Sequence, residues 1–543
     1  MILAAHSLAD VFPHEEEVPA ALRPKAPLHQ RSYLVGGELK NWLGLSEPVF
    51  SPVWIGQGGD PSPVVEIGSY PRLGGDEAEG ALDAAVCAYD KGRGVWPSMR
   101  IADRAACLEN FLSQMIGRRN EVVPLIMWEI AKSLADCEKE FDRTVDYIRA
   151  TIEAVKELDN SSSRFLVVEG TIGQVRRTPL GVVLCMGPYN YPLNESFATL
   201  IPALIMGNTV VFKPPKVGVL LFSPLLEAFR SAFPPGVVNI IYGKGEEIVP
   251  RLLGTGKVDV LTLIGSSRVA DHLKKLHPKV NRLRAILGLD AKNAAVVMAD
   301  ADLDVAVKEC LAGALSFNGQ RCTALKMLLV HRSIADDFTA RFCKALAELK
   351  VGMPWEAGVN ITPLPEVRKV DQMVALVDDA VSKGARIINP GGGESWGTLF
   401  YPAVVYPVQE GMRLYREEQF GPIVPIAPFD EISTALEYVV NSEHGQQVSI
   451  FSSDPDEIGR TVDALVHQVC RVNINCQCQR GPDVFPFTGR KDSAEGTLSV
   501  TDALRSFSIR SMVATKETRD NERLLGDIVQ GRRSSFISTH YTF

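Results

Sequence analysis

Residues 181–215, GVVLCMGPYNYPLNESFATLIPALIMGNTVVFKPP, contain two strand signals around a helix signal. The apolar run Gly181–Gly187 predicts the first strand, and Leu193–Asn208 has the apolar periodicity of a helix. Asn208–Pro215 predicts the second strand, which two prolines end because proline cannot donate to a sheet. Unbroken apolar strands around a helix are typical of a parallel sheet that is covered on both faces. This segment therefore predicts an α/β fold.

The same alternation continues along the chain. We predict further strands at Gly236–Gly243, Val258–Ser267, Asn293–Asp300 and Met327–His331, and helices at Ser223–Phe233, from Arg268 and at Ile334–Leu349. Residues 161–179 depart from the alternation, because FLVVEG and GQVRRTP indicate strands without a helix between them. Residues 1–30, rich in proline and charge, predict a poorly ordered N-terminal extension, and residues 521–543 predict a similar C-terminal tail.

The composition indicates a soluble globular protein of two or three domains. The chain has 543 residues, of which 46% are hydrophobic and 22% charged, and its net charge is −8. One domain rarely reaches this length. The acidic balance, without long basic runs, argues against nucleic acid or an anionic membrane as a partner. No apolar run reaches the ~18 residues that a spanning helix needs.

The N-terminus and the cysteines indicate a cytoplasmic protein. The first residues include an early acidic cluster and no basic segment, which argues against a secretory signal. The ten cysteines are irregularly spaced and form no CxxC motif. Such a pattern is expected of reduced thiols and not of disulfides or a metal site. We therefore expect no bound metal.

The segment FNGQRCT, Phe317–Thr323, carries the candidate nucleophile. A cysteine reacts as its thiolate, and nearby positive charge lowers its pKa, so Arg321 beside Cys322 favours this chemistry. Upstream, GPYNYP contains Asn190, whose side-chain amide can donate to an oxyanion. The alternatives are that Cys322 is a small buried side chain and that Asn190 is a turn residue before Pro192.

Six motifs occur in the order found in the aldehyde dehydrogenase superfamily, which the chain resembles over residues 31–520. They are GPYNYPLN, VVFKPPK, LIGSS, FNGQRCTALK, EEQFGP (Glu417–Pro422) and QRGPDVFPFTG (Gln479–Gly489). Within this superfamily the chain looks most like the non-phosphorylating, NADP-dependent glyceraldehyde-3-phosphate dehydrogenases. The resemblance implies that Cys322 adds to an aldehyde and that the Asn190 amide and the Cys322 backbone N–H hold the oxyanion. It also implies that Glu418 and Phe420 hold the nicotinamide ribose and ring.

The expected cofactor follows from KPPK, Lys213–Lys216. In the family the first lysine, here Lys213, binds the adenosine ribose, and many NAD-preferring members have a glutamate where this chain has Lys216. Because lysine attracts the 2′-phosphate that glutamate repels, we expect NADP, with NAD as the alternative. Gly265 and Ser266 open a helix whose N-terminus can receive the pyrophosphate. The alternative for Lys216 is a solvated surface position.

Arginines indicate the substrate. In the glyceraldehyde-3-phosphate enzymes, arginines from three segments and a tyrosine hold the substrate phosphate, and the matching residues here are Arg143, Tyr191, Arg321 and Arg480. The planar guanidinium fork suits phosphate because it binds two oxygens at once. Each arginine can instead form a salt bridge. Arginines also bind carboxylates, so a semialdehyde acid is an alternative substrate.

One position departs from the family pattern. Family members usually have a glutamate, which activates the hydrolytic water, where this chain has Gly288 in the segment GLDAKN. The nearest acid is Asp290, which either reaches the site from the same face of an extended segment or caps a turn. The change leaves hydride transfer intact and affects deacylation of the thioester.

The resemblance implies three structural parts. They are a Rossmann-like cofactor-binding domain of residues 31–160 and 180–287, a catalytic α/β domain of residues 288–490, and an oligomerisation sheet of residues 161–179 and 491–520. The expected reaction is the NADP-dependent oxidation of glyceraldehyde 3-phosphate to 3-phosphoglycerate by a homodimer or homotetramer. The alternatives are an NADP-dependent semialdehyde dehydrogenase and a slow or inactive binding or structural protein on this fold.

Overall fold

Two large sheets dominate the computed structural model, which describes residues 8–23, 26–56 and 64–539. The first sheet has eight strands, in the spatial order Ala494–Glu495, Arg284–Gly288, Val260–Ile264, Val182–Met186, Thr209–Lys213, Val238–Ile240, Ser32–Val35 and Glu38–Asn41. The five strands from Arg284–Gly288 to Val238–Ile240 in this order are parallel. The predicted strand–helix–strand segment is confirmed, with its helix at Asn194–Ile205. The protein therefore has the predicted α/β fold.

The second sheet has seven strands. Their spatial order is Arg386–Ile387, Ala403–Tyr406, Ile423–Phe429, Met327–His331, Ala294–Val297, Gln447–Phe451 and Arg471–Ile474. Only the edge strand Arg386–Ile387 is antiparallel to its neighbour. The predicted strands near Asn293 and at Met327–His331 lie side by side within this sheet.

Four smaller sheets complete the strand inventory of the described residues. They are Leu28–His29, Val64–Pro71 and Ser46–Trp54; Ser508–Lys516, Thr171–Pro179 and Phe165–Val168; Ser395–Trp396 with Leu399–Phe400; and His444–Gly445 with Arg490–Lys491. The two strands expected within residues 161–179 thus pair with each other and with Ser508–Lys516. A role for this sheet in oligomerisation stays a prediction.

Helices connect the strands and cover the sheets. The α-helices are Gly75–Tyr89, Val95–Ser98, Ile101–Ile116, Arg119–Ile130, Leu134–Ser161, Asn194–Ile205, Leu226–Ala232, Gly245–Gly254, Ser267–Leu276, Leu303–Leu315, Arg332–Leu346, Val367–Ser382, Arg413–Arg416, Ile432–Asn441, Pro455–Leu465, Val500–Ser506 and Arg519–Gln530. Short 3-10 helices lie at Leu8–Val11, Glu15–Glu17, Asp90–Gly92, Leu220–Leu225 and Ser316–Gly319.

The helix Asn194–Ile205 is buried along its whole length. It packs between the first sheet and the helix Leu134–Ser161. From Leu200 onward its side chains are apolar on every side, which requires such complete coverage. Phe197 packs against both Phe111 and Phe229, with ring centroids 5.8 and 6.0 Å away, and burying each ring contributes about 1.5–3 kcal/mol. This packing fixes the start of the helix, which begins four residues after Asn190.

The prediction that both chain ends are poorly ordered is wrong for the residues that the structure describes. Phe12 is buried and stacks on Trp54 at 5.7 Å between ring centroids, and the Trp128 indole donates to the Leu22 carbonyl at 2.7 Å. At the other end, the Gln174 amide donates to the Ser538 carbonyl at 2.7 Å. Composition misled here because a few apolar anchors, spaced among charges and prolines, suffice to dock a segment.

Three observations concern membrane-spanning helices, metal-binding groups and disulfides. In the described residues 8–23, 26–56 and 64–539, no helix has the length and apolar character needed to cross a membrane. In the same ranges no group of three or more His, Cys, Asp or Glu side chains is arranged to hold a metal ion. All ten cysteines are free thiols.

Candidate active site

A cleft of about 1200 Å³ opens at the carboxyl ends of the first sheet's parallel strands. Ligands bind at this edge of open α/β sheets, because loops and helix N-termini meet there. One wall includes Asn190, Lys213 and Gly265, and the opposite wall includes Cys322 and Glu418. All thirteen residues predicted for the site line this cleft. They are Arg143, Asn190, Tyr191, Lys213, Lys216, Gly265, Ser266, Asp290, Arg321, Cys322, Glu418, Phe420 and Arg480.

Cys322 lies half-buried on a loop that follows the 3-10 turn Ser316–Gly319. Its carbonyl accepts a hydrogen bond from the Asn293 side chain at 2.7 Å, which fixes the loop. Burial raises the pKa of the Cys322 thiol, and the charge of Glu418 adds to this. Lys326 and a hydrogen bond from Gln446 oppose the rise. The site thus holds the sulfur as a thiol whose ionisation depends on these neighbours.

The charge of Arg321 lowers the pKa of Cys322, although its guanidinium forms hydrogen bonds away from the sulfur. Its Nη2 donates to the carbonyls of Ala312 and Gly313 at 3.2 and 2.8 Å, near the end of the helix Leu303–Leu315. Among the charges that lower the pKa of Cys322, Arg321 ranks below Lys326. The sequence suggested Arg321 because it is adjacent in the chain, whereas the structure brings Lys326 from four residues further along.

Asn190 faces the nucleophile loop. Its side-chain amide donates one hydrogen bond to the Gln320 carbonyl at 2.8 Å. A primary amide has two N–H groups, so the second remains for a substrate oxygen. The backbone carbonyl of Asn190 accepts a hydrogen bond from Lys132 Nζ at 2.7 Å. These contacts bring the two predicted groups, amide and thiol, into one site.

A buried ion pair, which sequence reasoning missed, supports this loop. Lys132 and Glu140 are 2.5 Å apart with both side chains fully buried. Glu140 also accepts from the backbone N–H groups of Leu193 and Asn194 at 3.0 and 3.2 Å. Lys132 Nζ lies 3.5 Å from the centre of the Tyr191 ring. The one sequence feature that could have indicated this pair is a lysine two residues after the helix Arg119–Ile130, and such a lysine is more often exposed.

The residues expected to hold the cofactor differ in burial. Burial lowers the pKa of Lys213 to about 8, and its Nζ donates to the Pro214 carbonyl at 2.8 Å. Lys216 is 72% exposed and lies 3.2 Å from Glu366. The buried Glu418 carboxylate lies 3.3 Å from Lys326, and burial raises the pKa of Glu418.

Asp290 caps the helix Ser267–Leu276. Its Oδ2 accepts from the Ser267 backbone N–H at 2.8 Å and from the Ser267 hydroxyl at 2.9 Å. Of the two alternatives for Asp290, the structure shows the capping contact. This carboxylate occupies part of the helix N-terminus that Gly265 and Ser266 were expected to offer to a pyrophosphate, and its negative charge opposes a second anion there.

Arg143 and Arg480 form one charge cluster with two acids. Arg143 makes a two-point contact with Asp483, at 3.0 and 2.7 Å. Arg480 is buried between Glu195 and Asp483. Burial opposes ionisation of Asp483, but the hydrogen bond from Arg143 and the charge of Arg480 lower its pKa. The cluster therefore contains two positive and two negative side chains, and Tyr191 lies near Arg143.

Comparison with protein families identifies the family of this chain. Residues 59–513 match the family model described as the aldehyde dehydrogenase family. The chain belongs to the aldehyde dehydrogenase family. The thiol and amide that meet in the cleft are thus found in an aldehyde dehydrogenase.

Several aldehyde dehydrogenases with assigned activities are similar to this one. The NADP-dependent glyceraldehyde-3-phosphate dehydrogenase of Streptococcus equinus is 34% identical over 463 residues, or 83% of this chain and 93% of that enzyme. The mitochondrial succinate-semialdehyde dehydrogenase of Arabidopsis thaliana is 31% identical, over 79% of this chain and 80% of that enzyme. The crystal structure of NADP-dependent glyceraldehyde-3-phosphate dehydrogenase from Bacillus halodurans C-125, complexed with NADP, superimposes with a TM-score of 0.82. It is 30% identical and covers 90% of this chain and 100% of its own.

We predict that Asp290→Asn strengthens NADP⁺ binding to this aldehyde dehydrogenase. Asparagine still caps the helix, so we expect the free energy of unfolding to change by less than ~1 kcal/mol. Loss of the carboxylate charge beside the helix N-terminus is expected to improve the binding free energy of a pyrophosphate by up to ~1 kcal/mol. Calorimetric titration with NADP⁺ measures the effect. Asp302→Asn, at the cap of the helix Leu303–Leu315, is the matched control, and weaker binding by Asp290→Asn alone contradicts the prediction.

Proposed function

We propose that this aldehyde dehydrogenase oxidises glyceraldehyde 3-phosphate to 3-phosphoglycerate with NADP⁺, through a thioester on Cys322. The observation that carries the proposal is the contact between the Asn190 amide and the Gln320 carbonyl, 2.8 Å long, which brings the oxyanion donor to the nucleophile loop. Arg143 and Arg480 line the same cleft, beside Tyr191. The relatives from Streptococcus equinus and Bacillus halodurans, named for this activity, support the choice of substrate.

The cleft fits a dinucleotide on chemical grounds. Glu418 Oε1 is buried and has no hydrogen bond of good geometry from a described residue, apart from its ion-pair contact with Lys326. Such an acceptor suits a ribose hydroxyl. Lys216 is exposed and can approach a 2′-phosphate, which favours NADP over NAD. When bound, NADP⁺ would supply the acceptor for the hydride that leaves the substrate.

The protein groups act in two stages. First, Cys322 Sγ forms a bond to the aldehyde carbon while its proton leaves, and the second N–H of the Asn190 amide stabilises the oxygen that becomes negative. The Cys322 backbone N–H is the second proposed donor. Loss of hydride then leaves a thioester. In the second stage, water attacks the thioester carbon, the C–S bond breaks, and Cys322 is released with the acid product.

The charge cluster around Arg143 and Arg480 supports a second candidate function. Because Asp483 and Glu195 balance Arg143 and Arg480, a substrate with two negative charges must displace a carboxylate or make the cluster negative overall. A substrate with one carboxylate has the smaller electrostatic cost. This observation, together with the similar succinate-semialdehyde dehydrogenase of Arabidopsis thaliana, favours an NADP-dependent semialdehyde dehydrogenase as the alternative.

Cys322→Ala should abolish NADPH formation with every aldehyde while NADP⁺ binding remains. The reason is that no other thiol can form the thioester at this position. Absorbance of NADPH during turnover and calorimetric titration of NADP⁺ provide the two measurements. Cys470→Ala, which removes an exposed thiol, is the control and should keep full activity. NADPH formation by the Cys322 variant at the wild-type rate would contradict covalent catalysis.

A pair of substitutions separates phosphate from carboxylate substrates. Arg143→Ala should raise KM for glyceraldehyde 3-phosphate about tenfold or more, since a charge-assisted hydrogen bond contributes ~1.5–3 kcal/mol. It should leave KM for unphosphorylated glyceraldehyde nearly unchanged. Asp483→Asn should lower KM for the phosphorylated substrate, because it removes the competing carboxylate. The measurement is steady-state kinetics with glyceraldehyde 3-phosphate, glyceraldehyde and succinate semialdehyde.

The control for this pair is Arg149→Ala, in the same helix Leu134–Ser161 and paired with Asp146 on the exposed face. It should change no KM. Equal effects of Arg143→Ala on the phosphorylated and unphosphorylated aldehydes would count against a phosphate site. A wild-type kcat/KM that is highest for succinate semialdehyde would favour the alternative activity.

A further inference from the structure

The second stage of the proposed function needs a group that accepts a proton from water, and most acids of the cleft are already engaged. Each has a hydrogen-bond or ion-pair partner: Asp136 with Ser133, Glu140 with Lys132, Glu195 with Arg480, Asp290 with Ser267, Glu366 with Lys216, Glu417 with Arg413 and Glu418 with Lys326. Glu443 is exposed to solvent, where a carboxylate is a weak base. Gly288 supplies no side chain.

His444 also lines the cleft, and its imidazole ring is available to accept a proton. Neither ring nitrogen has a hydrogen-bond partner among the described residues, and Nδ1 is buried. The residue belongs to the two-stranded pair His444–Gly445 with Arg490–Lys491. It precedes by two positions Gln446, whose side-chain oxygen accepts from the same Asn293 amide that donates to the Cys322 backbone carbonyl, and both His444 and Cys322 line the cleft. The backbone thus brings the imidazole to the nucleophile's side of the cleft.

The surroundings of His444 keep its imidazole neutral near pH 7. Burial lowers the pKa of His444, and this effect outweighs Asp290 and Asp492, which raise it. Lys292 lowers the pKa further, and Glu443 opposes it. A neutral imidazole has one nitrogen with a free lone pair, which can accept a proton.

We propose that His444 is the general base of thioester hydrolysis in this enzyme. Water oxygen bonds to the thioester carbon as one water proton passes to the imidazole. The carbon–sulfur bond then breaks with its electron pair on Cys322 Sγ. The protonated imidazole returns its proton to that sulfur or to solvent, and the acid product leaves as its carboxylate. The assignment depends on the proposed function, because it requires a thioester on Cys322.

The test of His444 is His444→Asn followed by stopped-flow absorbance of NADPH. The first turnover should produce close to one NADPH per site at the wild-type rate. The steady-state rate should fall about 100-fold or more, as for loss of a positioned base. Added imidazole should restore part of the steady-state rate. In the wild type, the steady-state rate should fall as the pH drops through the pKa of His444, whereas the variant should lose that dependence.

Two further variants separate a base from a structural role. His467→Asn, an exposed histidine outside the cleft, should leave both phases unchanged. Gly288→Glu in the His444→Asn background should raise the steady-state rate, because a Cβ at Gly288 meets only ordinary contacts, 3.5 Å from Ile264 and 3.6 Å from Leu498. An unchanged steady-state rate in His444→Asn overturns the assignment. Absence of any first-turnover NADPH in the wild type, with all aldehydes, instead overturns the proposed function.

A second cavity, of about 640 Å³, is lined by an excess of arginines. The six are Arg100, Arg104, Arg176, Arg177, Arg532 and Arg533, against one lining acid, Asp159. Part of its wall is formed by residues 529–538, which lie beyond the family match of residues 59–513. The cavity is therefore a feature that this chain's C-terminal segment completes.

Among the described residues, Arg100 pairs with Asp103 and Arg176 with Asp159, and the other four arginines have no carboxylate partner. Arg104 and Arg177 donate to backbone carbonyls, and Arg177 also to the Ser508 hydroxyl. Burial lowers the pKa of Arg104 to about 10. Arg532 and Arg533 have no acid within ion-pair distance in the described part of the chain. Arg176 pairs with Asp159 at 2.8 Å, yet its Nε is buried without a hydrogen-bond partner.

From this arrangement we infer a binding site for a phosphate-bearing small molecule. Unpaired guanidinium groups around a cavity favour an anion with several oxygens, since each fork binds two of them. The inference is independent of the proposed substrate. Inorganic pyrophosphate is a suitable probe, because it presents two phosphate groups within the size of the cavity.

The test is calorimetric titration of the Arg143→Ala enzyme, saturated with NADP⁺, so that the catalytic cleft does not contribute. One pyrophosphate should bind per chain. Adding Arg532→Ala and Arg533→Ala should weaken binding at least tenfold. Adding Arg519→Ala and Arg523→Ala, an equal charge change on the helix Arg519–Gln530, should not. Equal weakening by both pairs, or no binding before either is introduced, would overturn the site.

Discussion

The buried ion pair of Lys132 and Glu140 is the interaction on which the geometry of the cleft depends. Two charges without solvent are costly, and such a pair persists only when further hydrogen bonds satisfy it. Here Lys132 also donates to the Asn190 carbonyl, and Glu140 accepts from the N–H groups of Leu193 and Asn194. Burial lowers the pKa of Lys132, but the charge and hydrogen bond of Glu140, together with Tyr191 and Cys137, raise it by more. Burial therefore does not favour the neutral form of Lys132 at this position.

This pair joins three parts of the chain. Lys132 lies just before the helix Leu134–Ser161, which carries Glu140, and both side chains hold the loop that begins the buried helix Asn194–Ile205. Removing one partner would leave the other as an unpaired buried charge, at a cost of about 3–5 kcal/mol. The same loss would release Asn190 from its place against the nucleophile loop. Stability and oxyanion geometry thus depend on the same contacts.

The sequence predicted the parts of the molecule that local pattern determines. Apolar runs such as Val182–Met186 and Thr209–Lys213 form fully buried strands, and the Cys322 and Asn190 motifs line one cleft. The hydrogen-bond and ion-pair partners of the site's side chains were not predictable from the sequence. The sequence left two roles for Asp290, helix capping and proton transfer, because a carboxylate can do either. Its contact with the Ser267 backbone N–H shows the capping role. Lys326, which lowers the pKa of Cys322 more than Arg321 does, was not predicted, because adjacency in the chain does not show which other charges reach the sulfur.

The charges around Gly288 explain why a neutral base suits this cleft. Asp290 raises the pKa of Glu418, which shows that the two carboxylates interact. A glutamate at Gly288 would lie two residues from Asp290 and add a third negative charge to this part of the cleft. Like charges at short range raise one another's pKa, so such a glutamate would be partly protonated and less able to accept a proton. A neutral imidazole at His444 adds no charge before it acts. Once protonated, it is stabilised by Asp290, which would raise the pKa of a glutamate and so weaken it as a base.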